Sequence, residues 1–182
     1  MHLEKLKRSL RSKLIEGVMD IILFGSSIKG RLSPGDIDLA VIVEDKADIV
    51  KVQRSFDDLR EEIQITFVKF SDIINRHILL KQALVHEGFS IRFDKFVHDI
   101  LGFEAFTLFT FSLKHLTQRE KVRFQYALYG RGEELGLLQR VSGEKIAKGA
   151  IVVPVSSESE VEDFFKLWRV PFRKERILKA LR

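Results

Sequence analysis

The chain contains no cysteine among its 182 residues, so neither disulfides nor thiolate-bound metal can hold its fold. No apolar run approaches the roughly 20 residues that span a bilayer. The amino terminus lacks the apolar segment of a secretory signal. A cytoplasmic protein without membrane contact is the expectation. What is present suits a packed interior: 45% of residues are hydrophobic, enough for one domain or two small ones. The formal net charge of +5 favours anionic partners such as nucleotides or nucleic acid without selecting one.

Chemistry concentrates in Leu23 to Glu44, LFGSSIKGRLSPGDIDLAVIVE. An apolar run, Met19 to Phe24, turns at Gly25-Ser26 and crosses a loop holding Gly30, Pro34 and Gly35. A second apolar run then carries Asp36 and Asp38. Strand, glycine turn, loop, strand is the simplest reading. Side chains alternate along a strand, so Asp36 and Asp38 share one face while Ile37, Leu39 and Val41 fill the other. Paired carboxylates repel and require a positive group between them. Mg²⁺ accepts one or two carboxylates and completes its shell with water and phosphate oxygens. The Gly25-Ser26 turn offers phosphates a hydroxyl and backbone N–H groups that can be approached closely, because Gly25 has no side chain. Cation on one side and phosphate cradle on the other describe a nucleoside triphosphate site.

Gly25-Ser26 followed after nine residues by Asp36-x-Asp38 resembles the GS…DxD signature of the DNA polymerase beta-like nucleotidyltransferase superfamily. The wider wording from Phe24 to Val41 looks most like its minimal prokaryotic members. The resemblance implies an α/β (α+β) fold, a small mixed sheet flanked by helices. It also implies that Asp36 and Asp38 hold two Mg²⁺ ions about 4 Å apart, and that Ser26 and the Gly25 backbone bind the β- and γ-phosphates. Lys29 or Arg31 would neutralise the leaving pyrophosphate, or else serve as plain loop cations. The implied reaction moves a nucleoside monophosphate from an NTP to an acceptor hydroxyl. Relatives act on protein partners, including helical HEPN proteins in toxin and antitoxin pairs, on RNA, or on small molecules. No HEPN pattern is visible in this chain.

The departure from the pattern is in the third strand, Ile63 to Phe70. Family members place a third acidic residue there, and the aligned position holds Gln64, which can offer an oxygen to a metal but cannot act as a carboxylate base. Glu62 shares its strand parity and reads as a surface residue at the strand end. The loss of that carboxylate motivates a second reading, a nucleotide- or nucleic-acid-binding regulator with impaired turnover.

Elsewhere in residues 1–95, Leu3, Leu6, Leu10, Leu14 and Val18 form a helical stripe. Its basic face, with Lys5, Lys7, Arg8, Arg11 and Lys13, reads as solvated. Residues 46–60 read as a helix. Ser71 caps a further helix over 72–87, closed by Gly88, and Phe89 to Phe93 reads as a fourth strand. His77 and His86 lack ligand-like partners at suitable spacing. Residues 96–182 read as a second, smaller α+β module that matches no family pattern. It has a strand over 105–113, a helix from Thr117 to Tyr129, a glycine-rich corner, a strand from Gly149 to Val155, and helices over Val161 to Trp168 and Lys174 to Leu181. Its phenylalanines and single Trp read as core. Arg119, Lys121, Arg123 and Arg131 near Phe124, Tyr126 and Tyr129, with the basic carboxyl end, form a candidate surface for a protein or nucleic-acid partner.

Overall fold

A computed structural model of the chain describes residues 3–25, 38–59, 63–75 and 78–181. Ser26, Lys29, Arg31, Asp36, Glu62 and His77 lie outside the described residues. The chain divides into two compact units, Met1–Phe103 and Glu104–Arg182.

In the first unit, helix α1 (Leu3–Arg11) buries Leu6 and Leu10. The helix is shorter than its leucine stripe suggests. Gly17 adopts a positive φ of 83°, and Val18 already opens strand β1 (Val18–Phe24). Strand β2 (Asp38–Val43) follows, then α2 (Ile49–Arg54), whose first turn is capped by the Asp48 carboxylate accepting from the Val50 and Lys51 N–H groups. Strand β3 (Gln64–Lys69) runs directly into α3 (Phe70–Asn75) and is followed by α4 (Ile78–Glu87). Short strands β4 (Phe89–Ser90) and β5 (Lys95–Phe96) and helix α5 (Val97–Ile100) complete the unit.

Among the described residues these strands form a five-stranded sheet in the order β3-β2-β1-β4-β5. β2 and β3 are parallel, with α2 in the crossover that parallel neighbours need, and β1 is antiparallel to both β2 and β4. Both faces are covered, which explains the nearly continuous apolar runs of β1 and β2. Leu23, Leu39, Val41 and Val43 pack with Leu6, Leu10, Val52 and Phe56 on one face. Ile22, Ala40, Ile42 and Val68 pack with Ile73 and Leu84 on the other.

Two expectations need correction here. The described residues of the expected helix over 72–87 are helical, in α3 and α4, but because α3 begins at Phe70, Ser71 lies inside the helix and does not cap it. The Ser71 N–H instead donates to Asp45 Oδ1 at 3.2 Å. The fourth strand stops at Ser90 because polar groups there turn back on β1. Asp20 Oδ2 accepts from the Ser90 hydroxyl at 2.5 Å, and Asp20 Oδ1 accepts from the Arg92 N–H at 3.1 Å. The Arg92 guanidinium donates to the carbonyls of Met19 and Val18. Arg92 therefore clamps β1 in place.

The second unit contains β6 (Phe103–Phe111) from its second residue onward, α6 (Gln118–Tyr129), α7 (Leu137–Arg140), β7 (Glu144–Ala147), β8 (Ala150–Pro154), α8 (Glu158–Leu167) and β9 (Phe172–Ala180). Its sheet has the order β7-β8-β6-β9. Thr117 and Glu120 close a capping box at the start of α6, satisfying donors that would otherwise be orphaned. Phe109, Phe124, Leu128, Ile151, Val153, Val161 and Phe165 form the core, so those rings are interior and present no stacking surface.

The carboxyl end is a strand, where the sequence pattern reads as a helix. The reason is ionic. Glu158, only 2% exposed, accepts from Thr107 Oγ1 and Lys174 Nζ, each at 2.7 Å, and from Arg176 Nε at 3.2 Å. Lys174 and Arg176 are two apart, so they share a strand face and converge on one carboxylate. Burial pushes the Glu158 carboxyl up, but the donors from Arg176, Lys174 and Thr107 outweigh it and hold the group down at about 2.

Candidate active site

β1 ends at Phe24, and the chain leaves it through Gly25 with a φ of +83°. Such a backbone favours glycine, and a second constraint demands it. A β-carbon at position 25 would lie 2.5 Å from Asp38 Oδ2 and 3.4 Å from its carboxyl carbon. The carboxylate thus rests against the bare face of the turn.

Asp38 opens β2 directly opposite Phe24, and parallel pairing puts Gln64 at the same level on its other side. The row Phe24, Asp38, Gln64 therefore crosses three adjacent strands. Facing partners project to the same side of a sheet. Leu39 and Val41 point to the α1 and α2 core, whereas Asp38 has the parity of Ala40 and Ile42 on the opposite face. Asp38 is half-buried and Gln64 exposed, so the row opens toward solvent at its Gln64 end.

The chemistry of these donors fits a hard divalent cation. The Asp38 carboxylate and the Gln64 amide each offer oxygen, the ligand atom that Mg²⁺ takes. Gln64 brings no charge and no base. Ser26, Lys29, Arg31 and Asp36, the remaining residues of the expected site, are outside the described residues.

The basic groups picked out by the sequence divide by role. On α1, Lys7 lies 3.5 Å from Glu4 and sits over the Phe89 ring. Arg11 pairs with Asp94 at 2.8 Å, and Lys13 pairs with Asp58 at 2.7 Å, so much of that face is engaged within the fold. Arg131 lies over the Tyr126 ring at 4.9 Å. Lys174 and Arg176 belong to the Glu158 network. Residues that pattern reading missed, Lys114, Lys145 and Lys148, gather with Lys121 round a cavity of the second unit. They come from separate elements, and no local motif links them.

Among the described residues, no helix is long and apolar enough to cross a membrane. No curated protein matches the chain. A solved structure described as "Crystal structure of the toxin-antitoxin with AMP-PNP" is similar at 20% identity, covering 52% of this chain and 83% of that one with a TM-score of 0.36. The family model for the nucleotidyltransferase domain matches residues 3–104, a span that includes the Gly25 turn, Asp38 and Gln64 and exceeds half of the chain. The chain belongs to the nucleotidyltransferase domain family.

Proposed function

We propose that this protein is a Mg²⁺-dependent nucleotidyltransferase that moves a nucleoside monophosphate from an NTP to a hydroxyl of a protein or nucleic-acid acceptor. The observation that carries this reading is the Asp38 carboxylate lying against the side-chain-free face of Gly25. A metal-binding oxygen and a turn open to phosphate there adjoin one another.

Asp36 and Asp38 would hold the metal through their carboxylates, with the Gln64 amide oxygen beside Asp38 as a neutral donor. Bound Mg²⁺ supplies positive charge that neutralises the triphosphate and acidifies the acceptor hydroxyl. Ser26 donates its hydroxyl, and Gly25 its backbone N–H, to the β- and γ-phosphates. Lys29 and Arg31 offset the charge that builds on the leaving group. The acceptor oxygen forms a bond to the α-phosphorus as the bond from that phosphorus to the β-phosphate oxygen breaks, and pyrophosphate departs. The hydroxyl proton passes to solvent, because Gln64 cannot accept it.

The test is transfer of label from α-labelled ATP, CTP, GTP or UTP with Mg²⁺ to the protein itself, to RNA or to candidate partner proteins. Transfer to one acceptor is expected, falling about a thousandfold in Asp38→Asn. If no nucleotide labels any acceptor, the reading fails.

A further inference from the structure

The second unit carries an open cavity of about 560 Å³, within the range of small-ligand sites. One face of α6 forms much of its wall. Gln118, Lys121, Val122, Gln125 and Tyr129 recur there at helical spacing, while Phe124 and Leu128 on the other face go to the core. Phe111 also lines the cavity, its ring packed on Phe124 and Phe165 of the core at 5.7 and 5.0 Å. Gly149, at a φ of +81°, brings the turn between β7 and β8 so close that a β-carbon there would sit 2.6 Å from the Phe111 carbonyl oxygen. That close approach keeps neighbouring Lys148 at the rim.

Four lysines line this space: Lys114, Lys121, Lys145 and Lys148. Among the described residues none of them pairs with a carboxylate, whereas Lys13, Lys166 and Lys174 do. Lys145 sits 4.9 Å from the centre of the Tyr129 ring, an arrangement that restrains its head at the cavity. Four like charges round one concavity repel one another, and a bound anion relieves that repulsion. The Tyr129 hydroxyl, whose ordinary range already lies well above neutral and which burial pushes further up, is an O–H donor at neutral pH.

We propose that this cavity is a second ligand site that binds a nucleoside phosphate, either as a free nucleotide or as a segment of single-stranded nucleic acid. The lysines take the phosphates, Tyr129 supplies an aromatic wall for a flat base, and Gln118 and Gln125 offer the paired donors and acceptors that a base edge requires. An acidic peptide would satisfy the lysines but has no use for the aromatic wall or the amides. The site is independent of the transfer chemistry assigned to the first unit.

The experiment measures binding to the full chain carrying Asp38→Asn, in the presence of chelator, so that its outcome is separate from that of the transfer assay. Three probes are used: a labelled ten-nucleotide single-stranded RNA, ATP, and poly-glutamate of matched length. Binding of RNA or ATP is expected, weakened at least tenfold by Lys121→Gln combined with Lys148→Gln, with folding of the double variant verified by circular dichroism. ATP that binds and displaces RNA identifies the free nucleotide as ligand. RNA binding without ATP binding, with a log–log salt slope of about −0.7 per phosphate contacted, identifies the nucleic acid. The proposal is overturned if neither probe binds, if the lysine substitutions change nothing, or if poly-glutamate displaces the probe as well as RNA does.

Discussion

The Oδ2 atom of Asp38 stands 2.5 Å from the point that a β-carbon on Gly25 would occupy, so any side chain at residue 25 collides with the carboxylate assigned to metal binding. Gly25→Ala is expected to reduce stability by about 1–2 kcal/mol through its left-handed backbone alone. Transfer should fall about a hundredfold as Asp38 is pushed aside. Thermal unfolding and turnover, measured on the same preparation, separate the two effects. Wild-type turnover in Gly25→Ala would show that this contact has no part in the site.

Gln64 pairs in register with Asp38, at the level where a third carboxylate would complete the acidic set. Gln64→Asp is expected to raise transfer by between tenfold and a hundredfold, of the order that general-base assistance provides, and to make the rate depend on ionisation of the new acid. An unchanged or lower rate would mean that the third ligand lies elsewhere.

Glu158 lies far along the chain from the first-unit site, and its consequence is for stability. Its carboxyl is held at about 2 in the folded chain, against 4.5 ordinarily. A lowered folded-state value means that the contribution is fully present above pH 4.5 and is lost as pH falls toward 2. The shift corresponds to about 3 kcal/mol. Acid titration of unfolding should therefore show a loss in this window that is absent in Glu158→Gln. That variant should also be less stable at neutral pH, because Lys174 and Arg176 lose their shared partner. A variant with the wild-type acid profile would contradict this assignment.

The same network explains where pattern reading succeeds and where it stops. β1 and β2 are legible because they are apolar on both faces, and α6 is legible because Thr117 and Glu120 announce its start. β9 is not legible: its helix-facing side carries Lys174 and Arg176, and their pairing with Glu158 depends on a residue 16 and 18 positions away. Without knowledge of that partner, RKERILKAL has no apolar alternation to mark a strand. At the site, the closeness of Gly25 and Asp38 is legible because a glycine turn and an acidic strand entry occur in one short segment. The lysines of the second-unit cavity are not legible, since Lys114, Lys121 and Lys148 meet only after β6, α6 and the β7–β8 turn have packed.

The measurement that bears most directly on the central claim is a crystal structure of the protein with Mg²⁺ and a non-hydrolysable NTP. The expected result is an Asp38 carboxylate oxygen about 2.1 Å from a metal ion, with phosphate oxygens against the Gly25 turn. A metal bound away from Asp38, or a triphosphate that touches neither residue, would contradict it.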